Sequence, residues 1–249
     1  MKRWTFVVIA LALLVGCDAT PPQGYFPLTG GLQWHYRVSR SDALGNHQTG
    51  ERVLTNLGPA TFDNEQVFER RNSFGTHYYI NARADGYYRV AKRRAVDHFP
   101  QPDLPPRTVL PLPPQIGAHW RHTTSTYLLQ RVFPFHKPFQ YRAAIYMDFR
   151  VAARSLEVTV PAGRFTGCVR VDGEARIQVA SDPRIGMSDV PLIQSEWYCP
   201  GAGLVRLTRQ EKLYTDQGSI IGGRLEMVLL RLDDGNPWTG LWHRVKGWF

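Results

Sequence analysis

The stretch Val169-Arg170-Val171-Asp172-Gly173-Glu174-Ala175-Arg176-Ile177-Gln178-Val179 alternates apolar side chains with charged or polar ones. Successive side chains of a β-strand point to opposite faces of a sheet, so this period of two predicts a strand with one apolar and one wet face. The apolar face of such an antiparallel strand needs a cover. Because long helical patterns are missing from the chain, we expect a second sheet, the sheet's own curvature or a ligand to supply it.

Further stretches predict the same kind of strand. Residues 133–149 alternate, with apolar side chains at most odd positions, and residues 141–151 form the part without proline. Residues 204–214 and 220–232 flank Thr215-Asp216-Gln217-Gly218-Ser219, which is typical of a hairpin turn. The predicted fold class is therefore mainly β, with one or more curved antiparallel sheets and little helix.

A degenerate repeat indicates a tandem duplication of one β unit. The pattern Pro-x3-Gly-x2-Trp occurs at 27–34 and again at 113–120. Residues 78–90 and 197–207 form a second matched pair, in which aromatic residues precede a glycine turn and a strand. The two pairs follow the same order, although Gly and Trp also recur by chance in an aromatic-rich chain. We therefore expect two related β units, each forming an open half-barrel.

The segment FPQPDLPPRTVLPLPP, at 99–114, is rich in proline. Proline lacks the amide hydrogen that a central strand needs, so we predict a semi-rigid polyproline-type connector between the two units. A docking segment for an aromatic groove is the alternative.

The N-terminus carries the features of an exported lipoprotein. Lys2 and Arg3 precede an apolar run at 6–14, which is too short to span a membrane. The sequence Leu14-Val15-Gly16-Cys17 that follows resembles the bacterial lipobox. The resemblance implies cleavage between Gly16 and Cys17, with fatty acyl chains such as palmitate on the cysteine. The alternative is an ordinary secretory signal that is cleaved elsewhere.

Acylated Cys17 is predicted to hold the protein to the lipid bilayer on the periplasmic side. Two or more acyl chains give stable anchoring, and the lipoprotein family carries three. Asp18, directly after the cysteine, resembles a signal for retention at the inner membrane and favours that membrane slightly over the outer one.

The cysteine count predicts a disulfide. If Cys17 carries lipid, Cys168 and Cys199 remain, and an exported compartment permits pairing. A metal or redox site would require a CxxC motif or histidines at ligand spacing, and neither is present. We therefore predict no metal site and no cofactor.

The C-terminal residues 236–249 combine tryptophans with basic side chains. This composition suits a bilayer interface, so the tail is a candidate membrane contact. Packing of these tryptophans on the sheet as a lid is the alternative. The candidate contact residues are Trp238, Trp242, Arg244, Lys246 and Trp248.

Together these features divide the chain into six segments. They are the signal peptide 1–16, the tether 17–25, the N-terminal β unit 26–98, the connector 99–114, the C-terminal β unit 115–233 and the tail 234–249.

Composition and motifs narrow the function classes. The chain has 30 Lys and Arg against 21 Asp and Glu, a formal net charge of +9. Export disfavours nucleic acid as a partner, and we expect the scattered arginines to solvate the sheet surfaces. The pair His119-x-x-His122 would ligate a metal only with help from elsewhere. No nucleophile elbow, P-loop or dinucleotide-binding glycine pattern is present, so no catalytic residue is assigned and we predict a protein that is not an enzyme.

Two segments resemble a family of bacterial envelope lipoproteins without an assigned activity. Residues 158–171 are similar to its V-P-A-G-x-F-x-x-C turn and strand, and residues 196–205 to its W-Y-x-P-G-x-G-L-V strand entrance. At the level of fold, we expect a distant similarity to the curved half-barrels of lipoprotein carriers and receptors of the LolA and LolB type. A similarity of fold does not transfer function.

Two functions follow as expectations. The first is a non-enzymatic structural or interaction module of the cell envelope, with an envelope protein as its partner. The second is a carrier or sensor of a hydrophobic, acyl-chain ligand held in a curved β-sheet cavity. In that case Phe139, Tyr141 and Phe149 are the aromatic residues expected to face the ligand.

Overall fold

A computed structural model describes residues 24–132, 137–182, 186–212 and 219–234. The regular structure in these ranges is β: a 12-stranded antiparallel sheet and a small three-stranded sheet. Within the same ranges, no helix is long and apolar enough to cross a membrane. The prediction of a curved, mainly β, antiparallel fold is confirmed.

Twelve strands build the large sheet and three build the small one. Those of the large sheet are β1 Gln33–Asp42, β2 His47–Phe62, β3 Glu65–Asn72, β4 His77–Arg83, β5 Gly86–Arg93, β6 Gln101–Pro111, β7 His119–Thr124, β10 Ile145–Val160, β11 Gly163–Asp182, β12 Gly186–Cys199, β13 Gly203–Glu211 and β15 Gly223–Asp233. Those of the small sheet are β8 Gln130–Arg131, β9 Lys137–Pro138 and β14 Ile220–Ile221.

The large sheet consists of two six-stranded meanders placed side by side. Its order is β6-β5-β4-β3-β2-β1-β15-β13-β12-β11-β10-β7, and β1 joins the halves by pairing with β15. The terminal strands β6 and β7 come into contact without forming a hydrogen-bonded ladder. The sheet therefore curls into a nearly closed barrel with a seam between β6 and β7.

The repeated Pro-x3-Gly-x2-Trp motif occupies equivalent places in the two meanders. Gly31 and Gly117 have φ angles of 89° and 87°, which glycine adopts without steric cost. The amide of Gly31 donates to the carbonyl of Asn56 on β2, and the amide of Gly117 donates to that of Val151 on β10, each at 2.9 Å. The motif thus makes the same turn before the first strand of each meander.

The proline-rich segment corrects one prediction. Residues 99–114 are not a polyproline-type connector, because they contain β6, which pairs with β5. Prolines are tolerated there because β6 is a terminal strand and its ladder with β5 shifts register twice. The segment is the sixth strand of the first meander, so both predicted β units contribute to one sheet.

Apolar side chains of alternate positions fill much of the barrel. In the stretch that predicted the fold, Val171, Ile177 and Val179 are buried and Arg176 is exposed. Cys168 on β11 and Cys199 on β12 form a disulfide with an S–S distance of 2.01 Å, which confirms the predicted pairing. Both sulfurs belong to a buried cluster that includes Trp34.

Candidate functional site

A cavity of about 650 Å³ lies inside the barrel and is lined by strands of both meanders. Its wall carries six cationic side chains and two carboxylates. The cations are Arg40, Arg52, Arg70, Arg89, Lys92 and Arg107, and the carboxylates are Asp103 and Glu196. Apolar side chains from β13 and β15, including Leu204, Leu225 and Met227, complete the wall. The cavity is therefore amphipathic, with an excess of positive charge.

Differences in burial distinguish the closed end of the cavity, its floor, from the open end, its mouth. Phe26, Arg70 and Tyr198 are at most 8% exposed, whereas Arg40 and Lys92 are exposed and lie near the ends of β1 and β5. The mouth therefore lies at the end of the barrel where β1 and β5 finish.

The described chain begins at the opposite end. The amide of Gly201, in the turn between β12 and β13, donates to the carbonyl of Gly24 at 3.2 Å. The Tyr25 hydroxyl donates to the carbonyl of Gly167 at 3.1 Å. Since β5 begins where β12 ends, these bonds tie the N-terminal residues to the end away from the mouth.

Arg70 is held rigidly at the floor. Its Nε donates to Asn56 Oδ1 at 2.7 Å and its Nη2 donates to the carbonyl of Pro27 at 2.8 Å. The guanidinium lies 4.2 Å from the ring centroid of Phe26 and 4.4 Å from that of Trp34. Burial lowers the pKa of Arg70 to about 10, so it stays charged at neutral pH. The Nε and Nη2 donors of Arg70 therefore bind other parts of the chain and are not available to a ligand.

Arg89 is neutralised by a carboxylate of the next strand. Its Nε and Nη2 donate to the two carboxylate oxygens of Asp103, at 2.6 and 2.8 Å. This bidentate geometry is the strong form of an arginine–carboxylate pair. Arg89 is therefore already compensated.

The other cations of the wall lack such partners among the described residues. Arg40, Lys92 and Arg107 make no hydrogen bond or ion pair there, and the Nε of Arg52 has no acceptor. Burial and the charge of Arg89 lower the pKa of the Arg107 guanidinium. Burial, with the charges of Arg89 and Arg107, also lowers the pKa of Lys92. The wall thus presents cationic donors that the described protein does not use.

Glu196 faces these cations but is engaged by its own strand. The Tyr198 hydroxyl donates to Glu196 Oε2 and the Gln194 amide donates to Oε1, each at 2.5 Å. Burial raises the pKa of Glu196, against the lowering effect of these donors and of Arg107. Glu196 therefore offsets only part of the positive charge.

The segment between β7 and β8 passes beside the mouth and is fixed there by hydrogen bonds to Glu211. The Glu211 carboxylate accepts hydrogen bonds from the amides of Tyr127, Leu128 and Leu129. Leu128 and Leu129 are buried, and Tyr127 lines the cavity. The carboxylate thus fixes one part of the rim.

The three aromatic residues that the sequence predicts to face a ligand do not line this cavity. Phe149 is 3% exposed and stacks on Trp120, with ring centroids 5.9 Å apart. Phe139 and Tyr141 pack against the same apolar cluster. The rings of the cavity are instead Phe26, Tyr78, Tyr127 and Tyr198, which sequence reasoning missed.

The expectation that arginines only solvate the sheet surfaces also needs correction. Arg40 and Arg52 follow the phase of Trp34, Tyr36 and Leu54, whose side chains point inward. That phase was the available signal. It is hard to recognise in the sequence, because the charged head of an arginine on a strand usually reaches solvent.

Some of the remaining predicted site residues lie within the part of the chain that the structure describes, and others lie outside it. Gly16, Cys17 and the tail residues Trp238, Trp242, Arg244, Lys246 and Trp248 lie outside them. His119 is exposed and His122 turns inward, as residues three apart on a strand do. Within the described ranges, no group of three or more His, Cys, Asp or Glu side chains is arranged to hold a metal ion.

Comparison with solved structures gives two similar chains. A candidate lipoprotein from Parabacteroides distasonis ATCC 8503 aligns with a TM-score of 0.35 and 16% identity, over 85% of this chain and 99% of that one. A candidate exported protein with a YmcC-like fold from Bacteroides fragilis NCTC 9343 aligns with a TM-score of 0.36 and 13% identity, over 84% and 98%. No family model and no curated protein matches the chain. At these TM-scores the similarity carries no conclusion about function.

Proposed function

We propose that the chain is a non-enzymatic binding module of the bacterial cell envelope, and that the barrel holds a small-molecule ligand. The cavity of about 650 Å³ carries this proposal, because ligand pockets fall in the same range of volume. Its wall joins apolar side chains with a few convergent polar groups, which is the usual composition of such a pocket.

The proposed location is the periplasmic face of a membrane, with acylated Cys17 as the anchor. Six residues lie between Cys17 and Gly24, which makes seven steps from one Cα to the next, and an extended chain spans about 3.5 Å per step. The tether therefore keeps the floor end of the barrel within about 25 Å of the anchor.

A purely hydrophobic acyl chain is a poorer ligand than the sequence suggested. Four cations of the wall have donors without a partner among the described residues, and an apolar ligand would remove those donors from water without replacing the lost hydrogen bonds. They are Arg40, Arg52, Lys92 and Arg107. The polar wall favours a ligand that brings acceptors of its own.

Ligand content of the purified protein tests the proposal. We expect the full chain, transferred into phosphatidylcholine nanodiscs, to release about one equivalent of a small molecule on denaturation, as detected by mass spectrometry. The variant Leu207→Trp, which adds bulk to the cavity wall, should release far less. Thr49→Trp, on an exposed position of β2, is the matched control. A chain that releases no ligand and binds neither charged nor neutral small molecules would contradict the proposal.

Protein interaction is the second candidate function, favoured by apolar side chains around the sheet edge. Val96, Phe99 and Leu104 are 78%, 76% and 85% exposed and lie before or within β6. Exposed apolar groups at a strand edge are typical of a surface that another protein covers. Crosslinking in cells should enrich one defined envelope protein, and Leu104→Asp should abolish that enrichment. Recovery of abundant bystanders alone would exclude this role.

A further inference from the structure

We propose that Arg107, Lys92 and Thr124 form an oxyanion site inside the barrel, beside the seam between β6 and β7. The cavity's ligand would place a phosphate or carboxylate group there. This inference rests on the proposed binding function and adds the chemical class of the ligand.

The register of β5 and β6 places two arginines directly opposite each other. Arg89 and Arg107 are partners in the ladder, and both line the cavity. Like charges at opposed positions of a ladder destabilise a sheet. Asp103 compensates Arg89 through its bidentate pair, which leaves the charge of Arg107 in excess.

Among the described residues, Glu196 and Asp103 offset part of that charge from a distance, but neither forms a hydrogen bond or an ion pair with Arg107. Glu196 is the other carboxylate of the wall, and both of its oxygens already accept hydrogen bonds from Gln194 and Tyr198. Across the seam, burial and Arg107 lower the pKa of His122 to about 3, so this imidazole is neutral and neither adds positive charge nor compensates that of Arg107. A half-buried guanidinium without a hydrogen-bonded partner loses part of its hydration, and a bound anion would compensate for that loss.

The three side chains supply the donors that an oxyanion needs. The guanidinium of Arg107 offers a planar fork that matches phosphate and carboxylate oxygens, and Lys92 adds an ammonium group. Thr124, at the end of β7, lines the cavity, and its hydroxyl makes no hydrogen bond with another described residue. Donors of β5 and of the two terminal strands β6 and β7 thus line the same cavity.

The volume leaves room for a ligand that extends beyond its charged group. A cavity of about 650 Å³ accommodates many more atoms than a phosphate ion contains. Ile80, Leu204, Leu225 and Met227 line the rest of the wall. The ligand is therefore an amphipathic oxyanion, which binds through its charged group at the seam and through apolar atoms elsewhere.

Calorimetric titration of the full chain in phosphatidylcholine nanodiscs, with empty nanodiscs as the blank, tests this inference. We expect octyl phosphate to bind and octyl glucoside to bind at least tenfold more weakly. Arg107→Gln should weaken octyl phosphate about tenfold to a hundredfold, the range for loss of a charged hydrogen bond. Arg71→Gln removes the same charge from an exposed position of β3 and should change nothing.

Two results separate this inference from the proposed function. Equal binding of octyl glucoside and octyl phosphate, with no effect of Arg107→Gln, would overturn the oxyanion site and leave a cavity for neutral ligands. An unaltered thermal midpoint of Arg107→Gln shows that the variant folds. If it unfolds, Lys92→Gln, at an exposed rim position, gives the same test.

Two competition experiments distinguish the source of the oxyanion. Glucose 6-phosphate that displaces octyl phosphate from the cavity indicates a soluble phosphate ester as the ligand class. Displacement only when phosphatidylglycerol replaces part of the phosphatidylcholine indicates a lipid headgroup. Either result supports the site. Retention of octyl phosphate in both experiments would overturn it, because the bound ligand would then be recognised by its apolar part and not by its phosphate group.

Discussion

Arg209 and Glu211 lie two residues apart on β13 and form an ion pair from which solvent is completely excluded. Arg209 Nη2 lies 3.1 Å from Glu211 Oε1, and both side chains are 0% exposed. Arg209 Nη1 donates to Gln194 Oε1 at 3.0 Å, and Glu211 Oε2 accepts the amides of Leu128 and Leu129. The pair thus connects β13 to a cavity-lining strand and to the segment beside the mouth.

Removing one member of this pair should be strongly destabilising. We expect Glu211→Gln to lower the free energy of unfolding by about 3–5 kcal/mol, because it leaves Arg209 buried without a counterion. The double variant Arg209→Met/Glu211→Gln should be less destabilised than the two single variants added together. Urea denaturation of all four proteins measures the coupling, and simple additivity would show that the pair acts as two independent groups.

The disulfide should contribute about 3–4 kcal/mol to the free energy of unfolding. Cys168 and Cys199 are 31 residues apart, and closing a loop of that length removes entropy from the unfolded chain. The double variant Cys168→Ser/Cys199→Ser should therefore unfold at lower denaturant concentration. Addition of a reductant should affect the parent chain and leave this variant unchanged, and Cys17→Ser should behave as the parent does.

His122 should make the protein less stable in mild acid. Its ring lies 4.1 Å from that of Phe149, and burial together with Arg107 lowers its pKa to about 3, against about 6.5 in an unfolded chain. Between these values the unfolded state binds the extra proton, so stability is complete above pH 6.5 and falls as the pH decreases. The slope is at most about 1.4 kcal/mol per pH unit.

Two histidine variants isolate this effect in denaturation series between pH 7 and 4.5. His122→Gln should flatten the loss of stability over that range, because the titrating group is gone. His119→Gln, at an exposed position of the same strand, should keep the slope of the parent. Identical slopes in all three proteins would exclude His122 as the source.

The repeated glycine turn should be sensitive to a single methyl group. Gly117 has a φ of 87°, and an added Cβ there would meet no atom within 4 Å, so only backbone strain opposes it. We expect Gly117→Ala to lower the free energy of unfolding by about 1–2 kcal/mol. Gly50→Ala, where space is equally open and φ is not in the left-handed region, should cost less. Equal effects would argue against strain at the turn.

Local patterns predicted much of the sheet. The alternation at 169–179 lies on β11, and the hairpin expected around 215–219 corresponds to the pairing of β13 with β15. The matched order of two repeats corresponds to two meanders. These features are accessible because the period of two and the glycine of a tight turn are properties of neighbouring residues.

The cavity could not be predicted from local sequence patterns in the same way. Arg107 lies in a proline-rich segment that reads as a linker, and its importance comes from Arg89 on β5 and His122 on β7. Phe149 has the alternation of a ligand-facing aromatic, yet it stacks on Trp120 in the core. An inward-facing side chain can contact a partner or line the open cavity. Strands that are distant in the sequence decide between these two outcomes.

The sequence by itself determines that this chain forms antiparallel strands with one apolar face and a duplicated turn, and it makes Cys168 and Cys199 a candidate disulfide pair. Local periodicity and the number of cysteines depend on few residues, so both can be recognised without knowledge of the fold. Only the tertiary structure decides that the two meanders close into one barrel and that six cations line its interior. Closure of the barrel brings strands from opposite ends of the sheet order close together. The cavity and its excess of positive charge form only when these strands face one another.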